Sequence, residues 1–148
     1  MLLEKIRSDM KTAMKAGDKQ RLTCLRMLIA AIKNREVGAR RTLEEQEIVS
    51  IIRTQIKQHK DSYTQFKEGN RDDLAQIEKK EISILGEYLP KEMPDSEIKG
   101  IVDEVITEIG ATRKDFGKVM KTVMARVAGK ADGKKVNSIV SQCLNNQD

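Results

Sequence analysis

The sequence predicts an all-α protein, with an N-terminal bundle of about four helices followed by a small C-terminal three-helix bundle. Three observations carry this. Apolar residues recur at intervals of three and four along almost the whole chain, and no segment sustains the alternation of a strand. The aromatic complement is two Tyr and two Phe with no Trp, while Leu, Ile, Met, Lys, Glu and Gln abound, a mixture that favours helices over sheets. Both prolines fall in one short stretch, YLPKEMPD, where Pro90 and Pro94 each fix their own φ and push the preceding residue away from helix. That stretch predicts a stiff boundary and three parts: a helical bundle over 1–89, a connector over 90–94, and a three-helix domain over 95–148. A chain of 148 residues is long enough to bury a real core, whether one or two.

The elements follow in order. Leu3, Ile6, Met10 and Met14 mark a first helix, which AGD closes, with Gly17 past its end and Asp18 as the next N-cap. Leu22, Leu25, Leu28, Ile29 and Ile32 give the second helix a broad apolar face, the expected centre of the N-terminal core. Thr42 followed by Glu45 has the spacing of a capping box, opening a long third helix with Ile48, Ile52, Ile56, His59, Tyr63 and Phe66 in one stripe. Asn70 is the expected cap of a fourth helix carrying Leu74, Ile77, Ile84, Leu85 and Tyr88. Beyond the prolines come Ile98, Ile101, Val102, Val105 and Ile109, then Phe116, Val119, Met120, Val123 and Val127, then Val136, Ile139, Val140, Cys143 and Leu144. Thr112 with Asp115 has the capping-box spacing at the start of the second of these.

The net charge is +5, unevenly distributed. Residues 1–41 hold eleven Lys/Arg against four acids, and residues 111–144 hold eight against two, whereas 94–110 hold one against five. Basic segments separated by acidic ones point to polyanion contact at particular faces. The first residues, MLLEKIRSDMKTAMKAG, carry charge every few positions and make neither a signal h-region nor a membrane span, so a cytoplasmic location away from membranes is expected.

No catalytic, cofactor or metal site is expected from motifs. HExxH, GxSxG and GxGxxG are absent. Cys24 and Cys143 lie in apolar helical runs with no second Cys or His at ligand spacing, as packing residues do. His59, the single histidine, falls in an apolar stripe one turn before Tyr63 and reads as a hydrogen-bonded packing residue. The stretch GKADGKKV fails as a phosphate loop, since three residues rather than four separate Gly129 from Gly133 and Lys135 stands where a magnesium-binding hydroxyl is required. It reads as a helix–turn–helix junction, Gly129 ending one helix and Asp132 capping the next. Its lysines are surplus to that task, because Lys at a helix N-terminus opposes the macrodipole.

Lys114, Lys118 and Lys121, at i, i+4 and i+7, share a face opposite Phe116, Val119, Val123 and Val127. With Lys130, Lys134 and Lys135 they are expected to make a basic surface suited to phosphate oxygens. Tyr63, Phe66, Tyr88 and Phe116 all sit in apolar stripes, leaving no aromatic platform for unstacked bases, so folded RNA read through its backbone is preferred over single strands. DNA binding by the helix–turn–helix finds thin support, because the last helix opens with Gly133, Lys134 and Lys135 rather than with base-reading residues.

The run DFGKVMKTVMARVAGKADGKKVNSIVSQCL, with ILGEYLPKEMPDSEI before it, resembles the YqeY family. It is also similar to the C-terminal tail of the B subunit of tRNA-dependent amidotransferase. The resemblance covers essentially the whole chain and is most specific over GKVMK and GKADGKKV. It implies two all-α subdomains and a tail that helps hold tRNA, the catalytic domains of the amidotransferase having no counterpart here. Carried over residue by residue, the family block is Gly117, Lys118, Met120, Gly129, Ala131, Asp132, Gly133 and Val136, of which Gly117, Gly129, Asp132 and Gly133 read as mainly structural. The function expected is a non-catalytic tRNA-binding accessory module, with a tRNA-charging or amidation enzyme as possible partner. Two alternatives stand beside it: an adaptor for an acidic protein, and a dependent subunit of a carbon–nitrogen ligase that uses glutamine as amido donor.

Overall fold

The computed structural model describes residues 1–146, which form seven α-helices and no strand. Two compact units are distinguished, Met1–Leu89 and a second beginning at Pro90.

The first unit contains α1 (Leu2–Ala16), α2 (Lys19–Ala39), α3 (Glu45–Glu68) and α4 (Asp72–Gly86). The α1–α2 corner forms as the sequence predicts. Gly17 takes φ 72°, a left-handed conformation that costs glycine nothing, and the Asp18 side chain accepts from Arg21 N–H. Ile6, Leu25, Leu28, Ile52 and Leu85 are fully buried and join Ile32, Ile48, Ile56, Ile84 and Tyr88 in one core. Arg21 then ties α2 to the end of α4 through a two-pronged pair with Glu87, at 2.8 and 3.2 Å.

Three expectations in this unit are corrected. α3 starts at Glu45 with Glu44 as N-cap, not Thr42, because the Glu47 carboxylate accepts from Glu44 N–H at 2.8 Å and is gripped by both Arg41 terminal nitrogens. Asn70 does not cap α4. It takes φ 58° at the reversal after α3, a conformation asparagine tolerates, and Arg71 N–H reaches back to Phe66 O at 2.8 Å to satisfy an end carbonyl. Arg71 is the N-cap residue of α4. Ile77, expected in the core, is 47% exposed, and Ala75 is buried in its place.

The second unit contains α5 (Asp95–Ile109), a 3₁₀ turn (Arg113–Asp115), α6 (Phe116–Val127) and α7 (Gly133–Asn145). Each of the three α-helices packs on the other two. Their shared core holds Ile98, Val102 and Val105 from α5, Val119, Val123 and Val127 from α6, and Val136 and Val140 from α7, all at 0% exposure. β-branched residues are only weakly helix-forming, so it is burial of these stripes rather than local propensity that holds the three helices. Asp95 and Glu97 occupy the first turn of α5, where the helix dipole favours acids.

Candidate nucleic-acid interface

The α6 helix is preceded by its own cap. Asp115 Oδ2 accepts from Thr112 N–H at 3.0 Å, winding residues 113–115 into the 3₁₀ turn that carries Lys114. From Phe116 onward the helix buries Val119, Val123 and Val127, which leaves Lys118 and Lys121 on the opposite, exposed side. Arg126 lies at the edge of that side and is committed to α5, within 2.5 Å of Glu108 and 3.9 Å of Glu104. Among the described residues, no acid pairs with Lys114, Lys118 or Lys121 within ion-pair distance.

The α6–α7 junction is a braced turn. Ala128 and Gly129 both take positive φ, 50° and 79°, which reverses the chain in two residues. Ala131 then drops into the core at 2% exposure, and Asp132 Oδ1 accepts from Lys134 N–H at 3.3 Å to start α7. The Pro-bounded segment closes over the turn, Met93 N–H donating to Lys130 O at 2.8 Å. Lys135 Nζ reaches Asp95 Oδ1 at 2.8 Å, and that contact raises the affinity of the amine for its proton.

The six sequence-predicted lysines therefore divide. Lys130 and Lys134 are exposed with no acid partner among the described residues, whereas Lys135 is half-buried and engaged by Asp95. Lys114 precedes α6 and Lys130 follows it, and the twelve residues of the helix span about 18 Å, so the cations are spread along the helix rather than clustered at the turn. The four small or capping residues of the motif divide as well. Gly129 needs its positive φ, and Asp132 caps α7. Gly117 is exposed on α6 with ordinary helical φ, and a Cβ built there meets nothing within 4 Å. At Gly133 a Cβ would meet only Met124 Cε, at 4.0 Å. Neither of these two glycines is required by packing among the described residues.

One cluster escapes sequence reading. His59 on α3 is not among apolar side chains alone: its Nδ1 lies 2.5 Å from Glu78 Oε2 and 3.1 Å from Glu81 Oε2, both on α4. The three side chains are only 14–19% exposed. Burial raises the Glu81 carboxyl above the usual carboxylate range, against the pull of His59 and with the added repulsion of Glu78. The available signal was the i, i+3 spacing of Glu78 and Glu81 on the same side of α4 as Leu74 and Leu85, which the apolar stripe masked. Both cysteines are buried thiols, and burial pushes Cys24 up to about 12.

No helix among the described residues is long and apolar enough to cross a membrane. The chain is similar to proteins named "Altered inheritance of mitochondria protein 41, mitochondrial" from several fungi. The relative from Clavispora lusitaniae is 36% identical over 114 residues, covering 74% of this chain and 65% of the relative. That from Pyrenophora tritici-repentis is 28% identical over 134 residues, covering 88% and 74%. That from Lachancea thermotolerans is 36% identical over 108 residues, covering 70% and 57%. The chain thus matches 57 to 74% of the length of these relatives, whose own names place them in mitochondria where the sequence reading expected cytoplasm. The basic lysines of α6 and the braced junction lie inside the region, residues 3–144, that matches the family described as Yqey-like protein, and the chain belongs to that family.

Proposed function

We propose that this protein is a non-catalytic tRNA-binding accessory module whose second unit grips the RNA backbone. The observation that carries the reading is the stripe of Lys118 and Lys121, continued by Lys114 and Lys130, on exposed surface with no acid of the described chain to neutralise it. A stripe of about 18 Å matches several successive phosphates along one strand of a duplex, and it presents no aromatic ring for unstacked bases. Gly117 supports the same reading, because a bare backbone between Lys114 and Lys118 lets a phosphate chain approach closely. Lys134 adds to the contact, and Lys135 is a brace to Asp95 that contributes less. The finer division into a four-helix N-terminal bundle and a three-helix tRNA-gripping domain belongs to this proposal, as does a partnership with a tRNA-charging or amidation enzyme. The mitochondrial relatives extend the reading from a cytoplasmic tRNA pool to an organellar one, and localisation of the tagged chain in its own cell separates the two.

The test is tRNA binding by gel shift across a series of salt concentrations. Replacing Lys114, Lys118 and Lys121 by Gln should weaken binding and flatten the slope of log K against log salt by about 0.7 to 0.9 per lost phosphate contact. Replacing Lys135 alone should change the slope little. A folded triple variant with unaltered affinity and slope would remove tRNA from this face, and copurification of an acidic protein after nuclease treatment would then put the adaptor reading first.

A further inference from the structure

The first unit carries a second arrangement of chemically competent side chains, unrelated to the basic stripe. α3 and α4 form the most extensive helix pair of the unit, and α4 turns Leu74, Glu78, Glu81 and Leu85 toward its neighbours. Glu78 and Glu81 thus sit one turn apart on an inward-facing side, opposite His59. His59 Nδ1 and one oxygen from each carboxylate all lie within 4.8 Å of one another. A sequence that needed only packing here would carry aliphatic residues, as it does at Ile56, Ile84 and Leu85 in the same unit. Two carboxylates placed together and largely removed from water repel, and a proton on one of them or positive charge between them relieves the repulsion. A protonated imidazole supplies one charge and leaves the cluster at −1. A divalent cation bound to a neutral imidazole brings the cluster to zero.

We propose that His59, Glu78 and Glu81 form a binding site for a divalent transition-metal cation that clamps α3 to α4. One imidazole and two carboxylates suit zinc, manganese, iron(II) or cobalt(II) rather than the soft-ligand metals, and three protein ligands leave a position for water. A cation about 2.0 to 2.2 Å from each ligand atom holds neighbouring ligand atoms roughly 3.4 Å apart in tetrahedral geometry. The observed 2.5 and 3.1 Å are hydrogen-bond spacings, so a metal in place of the imidazole proton moves the two carboxylate oxygens outward from Nδ1 by under about 1 Å. Cys24 is buried nearby and feels the Glu81 charge, which makes it the competing ligand that a test has to exclude.

The experiment uses the full chain without appended histidines, stripped with chelator and titrated with zinc and manganese ions by calorimetry and with cobalt(II) by absorption spectroscopy. One equivalent is expected to bind, with a cobalt spectrum of nitrogen and oxygen ligands free of thiolate charge transfer, and zinc should raise the melting temperature. Glu78→Gln with Glu81→Gln, and separately His59→Gln, should weaken binding by more than the about 10- to 100-fold typical of losing an outer partner. The double variant Cys24→Ser, Cys143→Ser should bind as the parent does. No binding by the parent, a thiolate band in its cobalt spectrum, or undiminished binding by the folded carboxylate variant would overturn the site. The spectrum of the parent decides the ligand set even where a variant fails to fold.

Discussion

Tyr88 offers a perturbation whose size and pH dependence can both be worked from the structure. Its ring is 5% exposed, and its hydroxyl donates to Asp9 Oδ2 at 2.6 Å, joining the end of α4 to α1 across 79 residues of sequence. A hydrogen bond to a charged partner contributes about 1.5 to 3 kcal/mol, and Asp9, being only half-buried, recovers water when the hydroxyl is removed. Tyr88→Phe should therefore cost about 1.5 kcal/mol near pH 8. The Lys5 ammonium 5.7 Å from the ring centre keeps its aromatic neighbour in the variant and does not enter the difference. Burial, then the hydrogen bond to Asp9 and its charge, hold the phenol well above its ordinary pKa of about 10. A folded pKa above the unfolded one gives stability that is complete below the unfolded pKa and lost as pH rises through the folded one. At pH 11 the unfolded chain gains about 1.4 kcal/mol by ionising Tyr88 while the folded phenol keeps its proton. The cost of Tyr88→Phe should thus fall from about 1.5 kcal/mol at pH 8 to nearly nothing at pH 11. Urea unfolding of both proteins followed by far-ultraviolet circular dichroism measures the difference, and titration of Cys24 cancels because it is common to both. Equal costs at the two pH values would refute the perturbed phenol, and no cost at pH 8 would refute the hydrogen bond.

Other expectations concern the second unit and the acid limb. Gly117→Ala should stabilise the free protein by about 0.5 to 1 kcal/mol, since an exposed helical glycine is replaced without a clash, while weakening tRNA binding in gel shifts; a gain in both would argue against close backbone approach there. Asp132→Ala should cost about 0.5 to 1 kcal/mol in thermal or urea unfolding, in the lower part of the range for an N-cap, because the bond to Lys134 N–H is 3.3 Å and exposed. Gly129→Ala should destabilise by about 1 kcal/mol, because φ 79° disfavours any side chain, and the same melts will reveal it. The Glu47 carboxyl is held down to about 2, chiefly by Arg41 and then by Glu44 N–H. Its folded pKa lies below the unfolded value, so its contribution is present above about pH 4.5 and lost as pH falls toward 2. Arg41→Gln should make acid unfolding monitored by circular dichroism less steep over that window.

The all-α class and most helix limits were legible because they depend on neighbours in sequence. Gly17 and Asp18 end one helix and start the next through their own backbone freedom and side-chain oxygen, and Asp132 likewise starts α7, whereas the left-handed residue that closes α6 is Ala128, one place before the expected Gly129. The repeats of Ile98, Val102 and Val105, or of Val119, Val123 and Val127, mark the buried side of a helix whatever covers it. Where two local readings competed, spacing alone did not choose between them, and neighbouring side chains and backbone did. Thr42 had the spacing of a cap, but the grip of Arg41 on Glu47 moved the helix start to Glu45. Asn70 could have capped α4, but the backbone reversal after α3 took it for its tolerance of positive φ.

The charged residues show the same division more sharply. Their number and helical phase are sequence properties, and Lys118 and Lys121 point outward because Val119 and Val123 point inward. Which cations remain available is not a sequence property. Lys135 meets Asp95 and Arg126 meets Glu108 only because the helices of the second unit close on one another, bringing residues 40 and 18 positions apart within ion-pair distance. His59, Glu78 and Glu81 are the extreme case, since periodicity placed His59 in an apolar stripe and Glu78 and Glu81 on one side of α4, but only the packing of α3 on α4 set them against each other. Sequence spacing fixes the side of a helix on which a residue lies, and only the packing of one helix on another decides which charges end at hydrogen-bond distance.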